Sequence, residues 1–319
     1  MKVIKAALMA NLAIAFIKFV AAYLSDSTAT LAEAVHSVAD TGNQALLLVG
    51  VRLAARRDDA RFPFGRAMER YFWPFIVALL LFSVGGAFAV YEGVHKVVHP
   101  TAPDLSAFWS LRHGPLSSLL VLGTSCVFEG ISCSIALKEF RVSAPKNKSL
   151  KDALFESKDP TIPLVLMEDI AALTGLAVAL VAVALSALTR SGIWDAIGSI
   201  AIGVVLMCVA VLIARDAHSL LIGERATDEM EHAVQAIAEG TPGVRGVTQI
   251  LTMHLGPDFI LLAMKIAFEP GSTLEQVEDV TDEMERRIRE NVPEMKKIFI
   301  EPDSDGDLRG VVPSRAAPV

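Results

Sequence analysis

The chain of 319 residues has only three cysteines. Their number and spacing do not fit a small domain that is cross-linked by disulfides. Cys126, Cys133 and Cys208 all stand in apolar stretches, and no CxxC pair occurs. This usage predicts reduced cysteines in the protein core, with a soft-metal role as the alternative. A cleavable signal peptide is not predicted either, because the first apolar segment is too long and has no clear small-residue cleavage site.

Charged residues are also scarce, at 20% of the chain, whereas 53% of the residues are hydrophobic and the mean hydropathy is +0.48. A soluble protein of this length is seldom so apolar, and several runs approach the roughly 20 residues that span a bilayer. The basic residues collect in two short loops beside these runs, so membrane topology explains them. Nucleic-acid binding is therefore not predicted.

Six apolar segments predict an all-α membrane domain over residues 1–222. The predicted transmembrane helices lie at about 3–23, 28–53, 71–94, 116–137, 161–188 and 193–221. Arg and Lys concentrate in the second and fourth connections, and the other three connections contain few of them. The positive-inside rule then places both termini and both basic loops in the cytoplasm.

The pattern changes after Gly223 and predicts a small cytoplasmic α+β domain over residues 223–302. A helix is predicted at 227–239, strands at 247–254 and 259–268, a helix at 273–289 capped by Thr273 and Gln276, and a strand at 297–300. The order αββαβ is typical of a ferredoxin-like fold. Residues 303–319 are predicted to be disordered.

The second apolar segment carries a polar stripe that lipid would not accommodate. Glu33, His36, Asp40, Asn43 and Gln44 recur at three- and four-residue steps and so share one helix face. An ionisable residue at bilayer depth costs on the order of 3 kcal/mol unless it is paired or faces a cavity. His36 and Asp40 place an imidazole and a carboxylate roughly 6 Å apart, close enough to share one cation. The alternative is a buried His–Asp hydrogen bond that only holds helices together.

Adjacent acids in the fifth segment supply a second half for such a site. Counting about 1.5 Å per residue, Asp169 lies roughly 12 Å into its helix and Asp40 roughly 18 Å into its own from the other side, so the two depths coincide. Glu168 and Asp169 point in different directions, and at least one is predicted to be a metal ligand; the alternative is a cap or an ion pair. Glu129, in the fourth segment, is a candidate for a proton path or for a helix–helix hydrogen bond.

These features together resemble the cation diffusion facilitators, the zinc-transporter family, over residues 1–301. The stretches SDSTATLAEAVHSVADTGNQ, FPFGRAMERYFW and GTPGVRGV are similar to that family in order and spacing. The adjacent acids most resemble the branch that includes the ninth human zinc transporter. The resemblance implies a homodimer in a lipid bilayer that exports a divalent transition metal, usually Zn²⁺, in exchange for protons.

The resemblance also implies a ligand set of His36, Asp40 and Asp169. Many zinc-selective members have a histidine four residues before that aspartate, where this chain has Val165. Glu168 compensates from a different helix face, and the more oxygen-rich site admits Mn²⁺, Fe²⁺ or Co²⁺. Whether Glu168, Asn43 or water completes the shell stays open.

The predicted tail departs from relatives that bind metal through histidines on its strands. Lys265 and Phe299 stand at the corresponding places, and His254 and Glu301 remain. We therefore predict a tail that dimerises without a full metal cluster.

Two other functions were weighed against transport. A metal sensor or scaffold would use the acidic tail to bind a partner, and an intramembrane hydrolase would use a metal-bound water. No nucleophile or substrate groove supports the hydrolase, so neither an enzyme nor a bound cofactor is predicted. The absence of an N-terminal extension predicts a bacterial plasma membrane as the location.

Overall fold

The computed structural model describes residues 2–25, 28–56, 61–99, 115–143, 149–155 and 157–303. The chain divides into two compact units, Met1–His218 and Ser219–Val319. Apart from Asp303, the segment predicted to be disordered lies outside the described residues.

Helices occupy every apolar segment that the sequence predicted. They are α1 (Lys2–Ser25), α2 (Thr28–Ala54), α3 (Glu69–Leu80), α4 (Phe88–Val98), α5 (Pro115–Ser143), α6 (Leu150–Phe155), α7 (Thr161–Thr189) and α8 (Ile193–Ile222). A π-helical stretch, Leu81–Ala87, joins α3 to α4 in one continuous helix. Neither this stretch nor α6, which lies in the second basic loop, was predicted from the sequence.

Four helices in the described part of the chain are long and apolar enough to cross a membrane. They are Glu69–Val98, Leu119–Val142, Thr161–Thr189 and Ile193–Ile222. The helix α2 is outside this group because its polar stripe lowers its hydropathy. Among the described side chains of α1, the apolar stretch is Asn11–Val20. The number of six spans therefore stays a prediction.

The helices α2, α5 and α7 pack together, with α1 along α2 and α3 against both α2 and α7. An apolar cluster that includes Leu47, Val77 and Leu164 fills part of the space between them. The helix α8 approaches the π-helical stretch closely: a Cβ atom at Gly203 would lie 2.7 Å from the carbonyl oxygen of Gly86. Only glycine fits there, so the two helices pack closely at Gly203.

The first basic loop is tied to the start of α7. The Arg70 guanidinium pairs with the Asp159 carboxylate, and the other oxygen of that carboxylate accepts a hydrogen bond from the backbone N–H of Thr161 at 3.2 Å. Glu69 accepts hydrogen bonds from Arg66 (3.1 Å) and from the Trp73 indole (2.9 Å). The basic residues of this loop therefore do more than set topology, because they also anchor the helix that carries Glu168 and Asp169.

The second unit has the predicted αββαβ order. Its elements are α9 (Asp228–Glu239), β1 (Val244–Gly256), β2 (Phe259–Phe268), α10 (Leu274–Asn291) and β3 (Met295–Asp303). The sheet order is β1-β2-β3, with β1 antiparallel and β3 parallel to β2. Buried side chains of the sheet, such as Ile260 and Leu262, pack with Val234, Met284 and Ile288 of the helices. The capping box of Thr273 and Gln276 forms as predicted.

Candidate metal centre

The polar stripe of α2 runs along an unbroken helix, so its members share one face. Asp40 is partly buried, and Asn43 and Gln44 are buried. The side chain of His36 lies outside the described residues, although its backbone belongs to α2. The structure therefore describes one member of the predicted His36–Asp40 pair.

The adjacent acids of α7 are both buried, with 8% of Glu168 and 5% of Asp169 exposed, and they point toward different helices. The Glu168 Oε1 atom accepts a hydrogen bond from the amide nitrogen of Asn43 on α2 at 2.6 Å. The Asp169 Oδ2 atom accepts one from the hydroxyl of Ser132 on α5 at 3.0 Å. Successive helical residues differ by about 100° in direction, which explains how one acid faces α2 and its neighbour faces α5.

Two further carboxylates lie near this pair. Asp40 on α2 and Glu129 on α5 are within electrostatic range of both Glu168 and Asp169. Like charges in a medium of low dielectric constant repel strongly, so the group favours bound protons or a cation. Among the side chains that the structure describes, no three of His, Cys, Asp or Glu are close enough together to hold a metal ion.

A positive charge lies beside the same face of α2. Lys18 on α1 is buried, and its ammonium group donates a hydrogen bond to the Ser37 hydroxyl at 2.8 Å. Ser37 stands three residues before Asp40, one turn along the helix. The polar side chain of Lys18 therefore faces α2.

All three cysteines are described, and none forms a disulfide. Their predicted location in the protein core is wrong, because Cys208 is exposed and Cys126 and Cys133 are only partly buried. Cys133 follows Ser132 on α5 and lies within electrostatic range of Asp169 and Glu129. Cys133 is therefore a thiol near the carboxylates, and a soft-metal role for it stays a prediction.

The polar residues singled out in the second unit do not come together. His254 is buried in β1, and its Nδ1 atom lies 3.3 Å from the carbonyl oxygen of Gly256. Glu301 is exposed on β3, where its carboxylate lies 3.9 Å from the Lys265 ammonium group on β2. That the tail lacks a full metal cluster therefore stays a prediction.

Two family models match the chain. The cation efflux transmembrane domain matches residues 4–222, and the cytoplasmic domain of cation efflux proteins matches residues 226–305. A solved MamM C-terminal domain matches 24% of this chain and 96% of its own, at 21% identity and a TM-score of 0.23.

Three relatives illustrate the range of similarity. The proton-coupled zinc antiporter SLC30A9, mitochondrial, of Xenopus laevis is 30% identical over 80% of this chain and 44% of its own. Metal tolerance protein C4 of Arabidopsis thaliana is 33% identical over 72% of this chain and 48% of its own. Magnetosome protein MamB of Paramagnetospirillum magneticum is 23% identical over 93% and 92%. The chain thus spans about half the length of the first two relatives.

The predicted location in a bacterial plasma membrane is wrong, because the SLC30A9 relatives are named as mitochondrial proteins. That prediction was based on a missing N-terminal extension, which carries no information when a chain spans about half of its relatives' length. A membrane location fits the four apolar helices. The name of these relatives describes a transporter and not an enzyme. With 219 of its 319 residues matched by the transmembrane model, the chain belongs to the cation efflux family.

Proposed function

We propose that this chain moves a divalent transition metal ion, with Zn²⁺ as the preferred substrate, across a membrane in exchange for protons. The observation that supports this most is the convergence of Asp40, Glu129, Glu168 and Asp169 from three packed helices of an apolar unit. Ionisable groups at this depth are costly and mark substrate or proton pathways in membrane proteins.

The proposed ligands are His36 and Asp40 from α2 and Glu168 and Asp169 from α7. Asp40, Glu168 and Asp169 are too far apart in this structure to hold one ion, so the proposal requires α2 and α7 to move closer together when metal binds. Glu168 faces α2, where its carboxylate is held by Asn43, so it is a ligand in this account and not a bystander. The Asn43 amide nitrogen is engaged with Glu168, which suits Asn43 to holding a ligand in place. Four nitrogen and oxygen donors match the coordination number that Zn²⁺ prefers.

Proton exchange follows from the chemistry of these ligands. Metal binding requires a neutral imidazole and ionised carboxylates, so it releases protons. Protons on the other side of the membrane compete for the same groups and expel the metal. In this proposal six helices span the membrane, and two copies of the chain form a homodimer through the second unit.

The choice of metal is the finer part of the proposal. The SLC30A9 relatives are named as zinc antiporters. Mn²⁺, Fe²⁺ or Co²⁺ is the second candidate, because Val165 takes the place of a nitrogen ligand and packs against the apolar cluster around Leu164. An oxygen-rich site favours the harder ions.

Uptake into proteoliposomes tests the proposal. A pH gradient is imposed, and Zn²⁺, Mn²⁺, Fe²⁺ and Co²⁺ are supplied separately while a metal-sensitive dye reports the interior. We expect Zn²⁺ uptake that needs the gradient and stops when a protonophore collapses it. Uptake of the other metals without zinc would support the second candidate. Absence of flux for every metal would contradict transport and support the sensor.

A further inference from the structure

The helix α5 presents a polar face and an apolar face at its middle. Ser125, Glu129 and Ser132 follow at steps of four and three residues, and α5 packs along α7. The opposite face carries Val127 and Ile131, whose side chains are more than half exposed, as suits contact with lipid. The polar face of α5 is therefore directed at the helix that carries Asp169.

The hydrogen bond of Ser132 is unusual for a serine inside a helix. Helical hydroxyls commonly donate to a carbonyl oxygen of the preceding turn, and Ser134 does so to Gly130 at 2.7 Å. Thr124 and Thr174 follow the same pattern. The Ser132 hydroxyl reaches a side chain on another helix, the Asp169 carboxylate, at 3.0 Å.

A donor on one carboxylate oxygen has a defined effect on a metal ligand. It fixes the rotation of the carboxylate about its bond to the chain, so the other oxygen, Oδ1 of Asp169, faces a constant direction. Partners of this kind orient ligands in metal sites, and their loss typically weakens metal affinity about 10- to 100-fold. Asn43 stands in the same relation to Glu168, from a different side of α7.

We propose that Ser132 is a positioning residue of the metal site, which makes α5 a third helix of the substrate site beside α2 and α7. This inference rests on the proposed function in taking Asp169 as a metal ligand. Ser132 does not touch the metal: it holds Asp169 so that a single carboxylate oxygen is presented to the ion.

Equilibrium Zn²⁺ binding to the full-length detergent-solubilised chain tests this without requiring transport. Ser132→Ala is compared with Ser134→Ala, which removes a hydroxyl two residues along the same helix that bonds only to its own backbone turn. Ser132→Thr keeps a hydroxyl at the position. We expect Ser132→Ala to raise the Kd for Zn²⁺ about 10- to 100-fold, with Ser134→Ala and Ser132→Thr within about twofold of the wild type.

A thermodynamic cycle separates positioning from packing. Combined with Asp169→Ala, the Ser132→Ala change is expected to add no further loss of affinity, because the group that Ser132 holds is gone. A role in helix packing alone would lower the melting temperature and leave the Kd unchanged. An unchanged Kd in Ser132→Ala, or equal losses in Ser132→Ala and Ser134→Ala, would overturn the inference.

Different results would contradict the proposed function. Wild-type chain that binds Zn²⁺ but does not transport it would remove the transport proposal and leave the role of Ser132 standing if the Kd shifts as expected. A wild-type chain that binds no Zn²⁺, Mn²⁺ or Co²⁺ would overturn both.

Discussion

Asp40→Ala is expected to lower Zn²⁺ uptake into proteoliposomes about 100-fold or more, because it removes a ligand outright where loss of a supporting partner alone costs up to about 100-fold. The substitution also removes the carboxylate of α2 that lies within electrostatic range of both Glu168 and Asp169. A metal bound between the helices would then keep only His36 as a ligand from α2. His36→Ala is expected to have an effect of the same size.

The matched control for this prediction is Asp195→Ala. Asp195 also belongs to the first unit, but its carboxylate pairs with the Lys96 ammonium group at 3.0 Å, away from the candidate site. This variant is expected to keep most of the uptake. Melting temperatures of all variants establish that the protein folds. Uptake at the wild-type rate by Asp40→Ala would refute the assigned site.

Glu168→Gln is the second substitution with a large expected effect, again a loss of about 100-fold or more in Zn²⁺ uptake. Glutamine has nearly the same shape, and its amide oxygen still accepts the hydrogen bond that Asn43 donates to Oε1. The substitution therefore removes the negative charge while it preserves the packing between α2 and α7. A large loss would show that the charge acts on the metal.

Glu92→Gln serves as its control, because Glu92 is an exposed residue of α4 whose carboxylate pairs with Lys96 at 3.1 Å. We expect near-normal uptake from this variant. Asp169→Asn is measured beside it. If Asp169→Asn loses uptake and Glu168→Gln does not, Glu168 is a bystander and the ligand set reduces to His36, Asp40 and Asp169.

The sequence predicted the second unit well because its signals are local. The buried residues Ile260, Leu262, Met264 and Ile266 alternate along β2, as the pleat of a strand requires. The capping box at Thr273 could be predicted because its sequence pattern lies within four consecutive residues. Strand ends were less exact, since β1 and β3 both extend beyond the predicted ranges.

The site was predicted less completely, because the direction of a side chain depends on its neighbours in space. Helical geometry predicted that the side chains of Glu168 and Asp169 point in different directions. Which helix each side chain contacts became known only from the packing of α2, α5 and α7. Ser132 gave no signal, since serine in an apolar helix usually bonds to its own backbone. The sequence placed Asn43 in the polar stripe of α2, but only the structure showed that its side chain donates a hydrogen bond to Glu168.

X-ray absorption at the zinc edge of the Zn²⁺-loaded protein tests the central claim most directly, because it reports the donor atoms around the metal. The account predicts a shell of oxygen and nitrogen at about 2.0–2.1 Å, including an imidazole contribution that disappears in His36→Ala. A sulfur shell at about 2.3 Å would contradict it, since the metal would then be bound by a cysteine such as Cys133 and not by the carboxylates of α2 and α7.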